Sequence, residues 1–436
     1  MQIKTTQYHL STEEAFQDTV TSFFTKERNG DISELDALIP NFQNNPSFQY
    51  LSISREEVDN IVNKSNKAMA FLYANLKKFM EEATDEDYHK LGIHNPLLIE
   101  SIKLSWNLDK ALRHKGVPES LFNGIYGNFD LTIIDGDVFF YEYNGNTPVL
   151  TYESIVLQDK FFNDKNEDGE QFNNLSETWI DFFSYVKSRV GPLRMVFAGH
   201  TDMINDTLTI ETMVHAANVS GHYALLCDMR TDLFFDHMSN TFTLEDSDET
   251  IDYIFNLFPW EEYSDEALIN INKNYKNMMS RGKGTILSEP AYKIILSNKM
   301  FLAYITENDY NGTIESGILP TFTDENVANI KSDMYVRKPI YGRMSANIEV
   351  YENKESSHKI ADTGGDYQDE LFINQPFAPL NKLSGENYQL RVWMAPIKEE
   401  NSHEHLFASC GLAVRKSSSD FSMDVETEMF IPHIIE

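Results

Sequence analysis

Apolar and polar positions alternate most regularly between Asn128 and Pro148. Two runs of β-branched and aromatic residues there flank Asp135-Gly136, which predicts a β-hairpin. Odd positions Phe129, Leu131, Ile133, Phe139, Tyr141 and Tyr143 are apolar or aromatic, while Asn128, Asp130, Thr132, Glu142 and Asn144 hold even positions. A two-residue turn on Asp135-Gly136 would set odd residues of one strand beside even residues of the other. A three-residue loop, Ile134-Asp135-Gly136 with Gly136 left-handed, keeps the parity matched, and this is the expected register. It gives one apolar face to the core and collects Asp130, Glu142 and Asn144 on the other.

Elsewhere the period is helical. Residues 1–125 read as a mainly helical region, with helix starts at Ser11-Thr12-Glu13-Glu14 and Ser54-Arg55-Glu56-Glu57. From Val58 to Met80 the apolar stripe Val58, Ile61, Val62, Ala68, Phe71, Leu72, Leu76 and Phe79 predicts a packing face. His89, His94 and His114 show no metal-ligand spacing and read as surface histidines. Tyr152-Glu153-Ser154 begins a further helix, and 165–170 is a charged surface loop. A strand over 193–199, an amphipathic run over 206–219 and a strand over 223–227 form a β-α-β unit, hence a parallel sheet. No Gly-x-Gly-x-x-Gly accompanies it, so a dinucleotide role has no support. Asn274 to Gly284, rich in Asn, Lys and Arg, reads as a linker.

Composition narrows the classes. The chain has 436 residues, 41% of them hydrophobic and 24% charged, which is ordinary for a globular protein with a large core. The formal charge of −32 opposes nucleic acid and anionic membranes as partners, and would suit a polycationic substrate such as a polyamine. No apolar run of about 18 residues is present, so no spanning helix is expected. Met1 to Tyr8 lacks the apolar stretch of a signal peptide. Cys227 and Cys410 each lie in an apolar run and read as reduced core thiols, consistent with a cytoplasmic location.

Candidate chemistry begins at the hairpin, where two carboxylates and an amide carbonyl are hard oxygen ligands suited to Mg²⁺. In the last third, Lys299 follows an apolar segment, and Lys338 lies in Tyr335-Val336-Arg337-Lys338-Pro339-Ile340-Tyr341-Gly342-Arg343, where a strand runs into a turn of small residues. Two lysines can clamp a polyphosphate while backbone N–H groups of such a loop cover it.

Several segments together resemble the glutathionylspermidine synthase family: 142–148 (Glu-Tyr-Asn-Gly-Asn-Thr-Pro), 257–261 (Leu-Phe-Pro-Trp-Glu), 296–299 (Leu-Ser-Asn-Lys) and 335–343. So do 365–370 (Gly-Asp-Tyr-Gln-Asp-Glu) with Gln375, and 430–433 (Phe-Ile-Pro-His). The resemblance runs from about Tyr126 to His433 and is to stand-alone synthetase members without an amidase domain. It implies an α/β (α+β) chain with an ATP-grasp fold. The metal-binding hairpin at 126–160 would join the ATP-grasp core, with a pre-ATP-grasp β-α-β domain at 190–273 and the nucleotide-binding region at 285–436. It implies ATP and Mg²⁺ as cofactors, and a small peptide or carboxylic acid plus an amine as substrates, joined through an acyl phosphate. Carried over by position, Asp130, Glu142 and Asn144 are magnesium ligands, and Lys299 and Lys338 are phosphate lysines. Gly342 with Arg343 falls on the phosphate-covering loop, Gln375 on the nucleotide pocket and Arg415 on the position facing the acid substrate. Three positions depart: Asn128 replaces an arginine that faces the transferring phosphate, and Met344 and Lys416 each replace an acid. Another arginine reaching that place, such as Arg343 or Arg391, would restore the charge. A second reading of the same scaffold is a nucleotide-binding or interaction protein without turnover.

Overall fold

In the computed structural model, which describes residues 1–6, 48–112, 124–165, 169–244, 250–354, 358–398, 405–421 and 429–436, an antiparallel pair precedes the first described helix. Strands β1 (Gln2–Thr6) and β2 (Phe48–Ile53) form this pair, which the hydrophobic pattern did not predict, and α1 (Arg55–Glu82) follows. Ser54 starts the helix as expected. Its hydroxyl accepts from the Glu57 N–H at 3.2 Å, and the Glu57 carboxylate accepts from the Ser54 N–H at 3.0 Å, satisfying two helix-start donors reciprocally. The predicted stripe is the packing face, with Val58, Ile61, Ala68, Leu72, Leu76 and Phe79 buried and Val62 and Phe71 partly so. Helices α2 (Asp85–Lys90) and α3 (Pro96–Leu112) complete the described helices of this region. His89 and His94 are exposed, whereas His114 and the helix start at Ser11 lie outside the described residues.

Strands β3 (Gly127–Ile134) and β4 (Asp137–Asn144) form the hairpin, but the turn differs from expectation. Ile134 pairs with Asp137, so the loop has two residues, and both Asp135 (φ 52°) and Gly136 (φ 88°) are left-handed, the requirement of a type I′ turn. The backbone twist of such a turn matches the right-handed twist of the flanking strands. Parity is restored further along by a bulge: Leu131 faces Phe140 and Asp130 faces Glu142, leaving Tyr141 as the extra residue. The single apolar face of odd positions is therefore corrected. Below the bulge Val138 and Phe140 are buried with Leu131, while Phe139 and Tyr141 are only partly covered.

The chain is helical again from 151, through a π-turn at Glu153–Leu157 into α4 (Gln158–Lys165), and then α5 (Leu175–Val190). The β-α-β unit follows as predicted: β5 (Arg194–Gly199), α6 (Ile204–Val219) and β6 (Tyr223–Asp228), with β5 and β6 parallel. A small hairpin, β7 (Leu233–Asp236) with β8 (Thr241–Leu244), precedes β9 (Tyr253–Asn256). The presumed linker is instead the end of α7 (Asp265–Arg281), which leads to β10 (Ile286–Ser288). Its asparagines are buried and paired: Asn274 bonds both the N–H and the C=O of Thr285, and Asn277 donates to the Ser239 carbonyl. The parallel sheet has the order β10-β9-β5-β6. Cys227 and Cys410 are buried free thiols far apart in sequence.

Short helices α8 (Lys293–Ser297), α9 (Lys299–Asn308) and α10 (Tyr310–Ser316) lead into the last third. There β11 (Phe322–Thr323), β12 (Tyr335–Pro339), β13 (Glu349–Tyr351), β14 (Lys359–Asp362) and β15 (Phe372–Pro376) form a sheet of order β11-β15-β12-β13-β14. The chain then returns to the hairpin. Strand β16 (Asn381–Leu383) and the long strands β17 (Glu386–Lys398) and β18 (His405–Ser417), with β19 (Met429–Ile431), extend it into the order β19-β18-β17-β3-β4, β16 lying against β17. Finally β20 (His433–Ile435) joins β2 in parallel. The result is a mixed α/β chain of several sheets. Among the described residues no helix is long and apolar enough to cross a membrane.

His433 fastens the end of the chain. The Phe172 N–H donates to its Nε2 at 2.9 Å, so the proton sits on Nδ1 and is donated to Gln158 Oε1 at 2.7 Å. Burial pushes the imidazole down to about 3 from an ordinary 6.5. A depressed histidine stabilises fully above its unfolded value and loses that stabilisation as pH falls towards the folded one. Stability measured by denaturant titration is therefore expected to fall by about 2 kcal/mol between neutral pH and pH 5 from this group. In His433→Gln, which keeps an acceptor and a donor, this part of the slope should vanish.

Candidate active site

The hairpin, β17 and β18 form one wall of a cavity of about 690 Å³, and β12, β15 and α9 form another. Direct cross-strand partners share a face of a sheet, so the pairs Asn128–Asn144, Asp130–Glu142, Asp130–Arg391 and Gln389–Arg415 place these side chains on one surface. The cavity is lined by Asp130, Glu142, Asn144, Lys299, Lys338, Gly342, Arg343, Gln375 and Arg415. The nine residues expected to bind metal, nucleotide or substrate thus meet at one place, although they are spread from position 130 to position 415.

Charges are sorted across this wall. On one side Glu142 accepts from Lys338 at 3.1 Å and lies 3.5 Å from Lys299. Burial opposes its charge, but the two lysines win and hold its carboxyl down at about 2. Lys299 also donates to the Gly342 carbonyl at 2.9 Å, and burial lowers its affinity for the proton despite Glu142. On the other side Asp130 is gripped by Arg391, through Nε at 2.7 Å and a terminal nitrogen at 3.0 Å, and by Arg415 at 3.2 Å. Two-point contact of this kind fixes both planes and is among the stronger charge-assisted bonds. Arg415 also bonds Gln389 on the neighbouring strand.

The bulge has a use. Tyr141, left over from the ladder, offers its carbonyl to Gln375 Nε2 at 3.1 Å and to Lys338 Nζ at 3.3 Å. Gln375 is buried and donates in addition to Thr321 Oγ1 at 2.8 Å, so it locks β15 to the hairpin beside the lysines.

Past β12 the chain makes a loop over the cavity. Met344, Ser345 and Asn347 all have positive φ (52°, 57° and 54°), an unusual density of left-handed backbone for residues with side chains. The segment 362–370 supports it: the Tyr341 N–H donates to Glu370, the Tyr367 N–H to Asn347 Oδ1, and Thr363 Oγ1 to the Ser345 carbonyl. Gly342 is required by packing, since a Cβ there would lie 2.4 Å from Pro339. Arg343 is held by Glu261 and Glu262, and although burial acts against it, Glu261 keeps its pKa above the usual arginine value.

The three departures separate spatially. Met344 is exposed at the loop tip, and Lys416 pairs with Glu386 at 3.4 Å outside the cavity lining. Asn128 is fully buried on the wall two residues from Asp130, and neither its Oδ1 nor its Nδ2 has a hydrogen-bond partner among the described residues. Glu153, His200, Asn205 and Asp206 also line the cavity, and burial raises the Asp206 carboxyl to about 6.

The residues fit a hard dication. Asp130 and Glu142 are directly opposed and both line the cavity, and Asn144 Oδ1 accepts only long bonds, 3.3 Å, from the Asn146 and Thr147 N–H groups. Among the described residues no group of three or more His, Cys, Asp or Glu could hold a metal, so a dication here would need the amide of Asn144 beside the two carboxylates.

Fold and site together define a mixed α/β protein with a cavity between two sheets, in which lysines pair with one carboxylate of the hairpin and arginines with the other. Within that class the chain belongs to the glutathionylspermidine synthase family, whose preATP-grasp model matches residues 44–436. A Haemophilus influenzae protein called "Putative acid--amine ligase" is 23% identical over 391 residues, covering 86% of this chain and 87% of its own. In fold the chain is similar to a glutathione synthetase-like effector of Globodera pallida in its apo form, at a TM-score of 0.52 and 12% identity over 89% of each chain.

Proposed function

We propose that the chain is an ATP- and Mg²⁺-dependent carboxylate–amine ligase that releases ADP, on an ATP-grasp scaffold. The observation that carries this reading is the convergence on one cavity of two buried lysines, an opposed carboxylate pair and two arginines. The family and the description of the Haemophilus relative support the same class.

Lys299 and Lys338 hold the phosphate oxygens as point charges, and the loop around Gly342 and Arg343 covers them with backbone N–H groups. Gln375 keeps the Tyr141 carbonyl in place beside Lys338. Asp130, Glu142 and Asn144 would hold Mg²⁺, which when bound neutralises charge on the phosphates. A substrate carboxylate oxygen attacks the γ-phosphorus as its bond to ADP breaks, giving an acyl phosphate beside Arg415. The amine then attacks the acyl carbon, loses a proton and displaces phosphate, leaving an amide. Positioning and electrostatics are the protein's contribution. The acidic side chains of Glu153 and Asp206 in the cavity lining suit a cationic amine, a polyamine included.

ADP release is the test, measured with panels of small peptides or carboxylic acids paired with amines. At least one pair is expected to release ADP in step with amide formation. If the protein binds Mg-ATP in a thermal-shift measurement yet releases no ADP with any pair, the nucleotide-binding reading without turnover replaces this one. The unpartnered Asn128 is the observation that favours it.

A further inference from the structure

Arg391 lies in none of the family-like motifs, yet it is a buried, multiply bonded part of the cavity wall. It lies on β17 directly across from Asp130, is 6% exposed, bonds the Asp130 carboxylate at two points and donates to the Val149 carbonyl at 3.2 Å. Asn128 sits two positions along β3 on the same face, buried without partners, against Trp393, which is itself two positions from Arg391. A cationic side chain at 128 and one at 391 would therefore approach Asp130 from adjacent strands of one wall. Charge is otherwise partitioned, since Lys299 and Lys338 serve Glu142 whereas Arg391 and Arg415 serve Asp130.

We infer that Arg391 supplies, from β17, the guanidinium that faces the transferring phosphoryl group, in the place that Asn128 on β3 leaves without charge. The inference rests on the ligase reading for its reaction, but its geometry stands on the wall alone. A planar guanidinium offers several N–H donors in fixed directions, so it can keep one edge on Asp130 while turning another towards phosphoryl oxygens. Arg415 bonds Asp130 as well and is tied to Gln389 on the neighbouring strand. Groups that gain contact only as charge spreads over the phosphoryl oxygens raise the rate without tightening the resting nucleotide.

Differential binding decides the matter without requiring turnover. Affinity for Mg-ADP is compared with affinity for Mg-ADP plus aluminium fluoride, a mimic of the phosphoryl group in transfer, by calorimetry on the intact chain. The unaltered protein is expected to bind the mimic at least about tenfold more tightly than ADP. Arg391→Gln should lose that increment while its ADP affinity stays within about threefold, and Arg391→Lys should recover little of it because a point charge lacks the fork. Asn128→Arg/Arg391→Gly should regain the increment, since the charge returns from the other strand. The inference is overturned if Arg391→Gln keeps the increment, or if its affinities for ADP and the mimic fall equally, the result of a purely structural grip on Asp130. An unaltered protein that shows no increment overturns it as well. A preserved increment with no ADP release from any acid–amine pair instead removes the ligase reading and leaves Arg391 in place.

Discussion

Replacing Glu142 by glutamine is expected to abolish the metal dependence of nucleotide binding. In the resting site Glu142 is the counter-ion of both Lys299 and Lys338, at 3.5 Å and 3.1 Å. Removing its charge takes away a hard ligand from the dication set and releases two buried lysines from their partner. Metal-free ATP should then bind as tightly as before or more tightly, because the phosphates inherit both lysines. Mg²⁺ should no longer improve binding, and turnover should fall by about 10²-fold or more, since even groups behind a ligand commonly contribute 10–100-fold. Lys338→Met should act oppositely, weakening ATP with and without Mg²⁺. Calorimetric titration of ATP into each variant, with and without Mg²⁺, reads both signs. Equal loss of metal-free ATP binding in Glu142→Gln and Lys338→Met would remove Glu142 from its assigned position between metal and lysines.

How the hairpin was legible, and how it was not, follows from what alternation can encode. Alternation placed Asp130 and Glu142 on one face correctly, but through the wrong device: the three-residue loop would have set Asp130 opposite Phe140, and the bulge sets it opposite Glu142. Tyr141 is aromatic like its neighbours, so a residue dropped out of the ladder leaves no mark on a hydrophobic pattern, whereas its free carbonyl becomes visible once Gln375 and Lys338 are seen to bond it. Similarly, the polar run 274–284 looked like a linker because the partners of Asn274 and Asn277, Thr285 and Ser239, are fixed only by tertiary packing. Arg391 could be named from the sequence only as one of two candidate arginines, for the same reason. Its register with Asp130 spans 261 positions, and the only local hint was a charge within the apolar run Leu390-Arg391-Val392-Trp393. Short-range periodicity reports helices and hairpins well, while contacts between distant strands depend on sheet order, which no local pattern carries.

A second large effect is expected away from the cavity, at an ion pair that positions the hairpin. Glu289 and Lys293 are bonded to each other and are both completely buried. Burial drives the carboxyl up and the ammonium down, and each partner opposes the shift of the other. The pair also holds the chain leading into β3, since Glu289 accepts from the Ile125 N–H at 2.7 Å and Lys293 donates to the Tyr126 carbonyl at 2.6 Å. Lys293→Met strands a buried carboxylate, and removing one partner of such a pair costs about 3–5 kcal/mol. Adding Glu289→Gln should restore part of that loss, because the amide oxygen still accepts from Ile125 and no charge is left alone. What persists is the unsatisfied Tyr126 carbonyl, at about 1–3 kcal/mol. Unfolding midpoints in denaturant should therefore rank the unaltered chain above the double variant and the double variant above Lys293→Met. Mg²⁺ affinity should follow the same order, because Asp130 lies four residues beyond Tyr126 on the strand that the pair anchors. A double variant less stable than Lys293→Met would show that the stranded charge is not what destabilises, and that the hydrogen bonds to Ile125 and Tyr126 carry the effect instead.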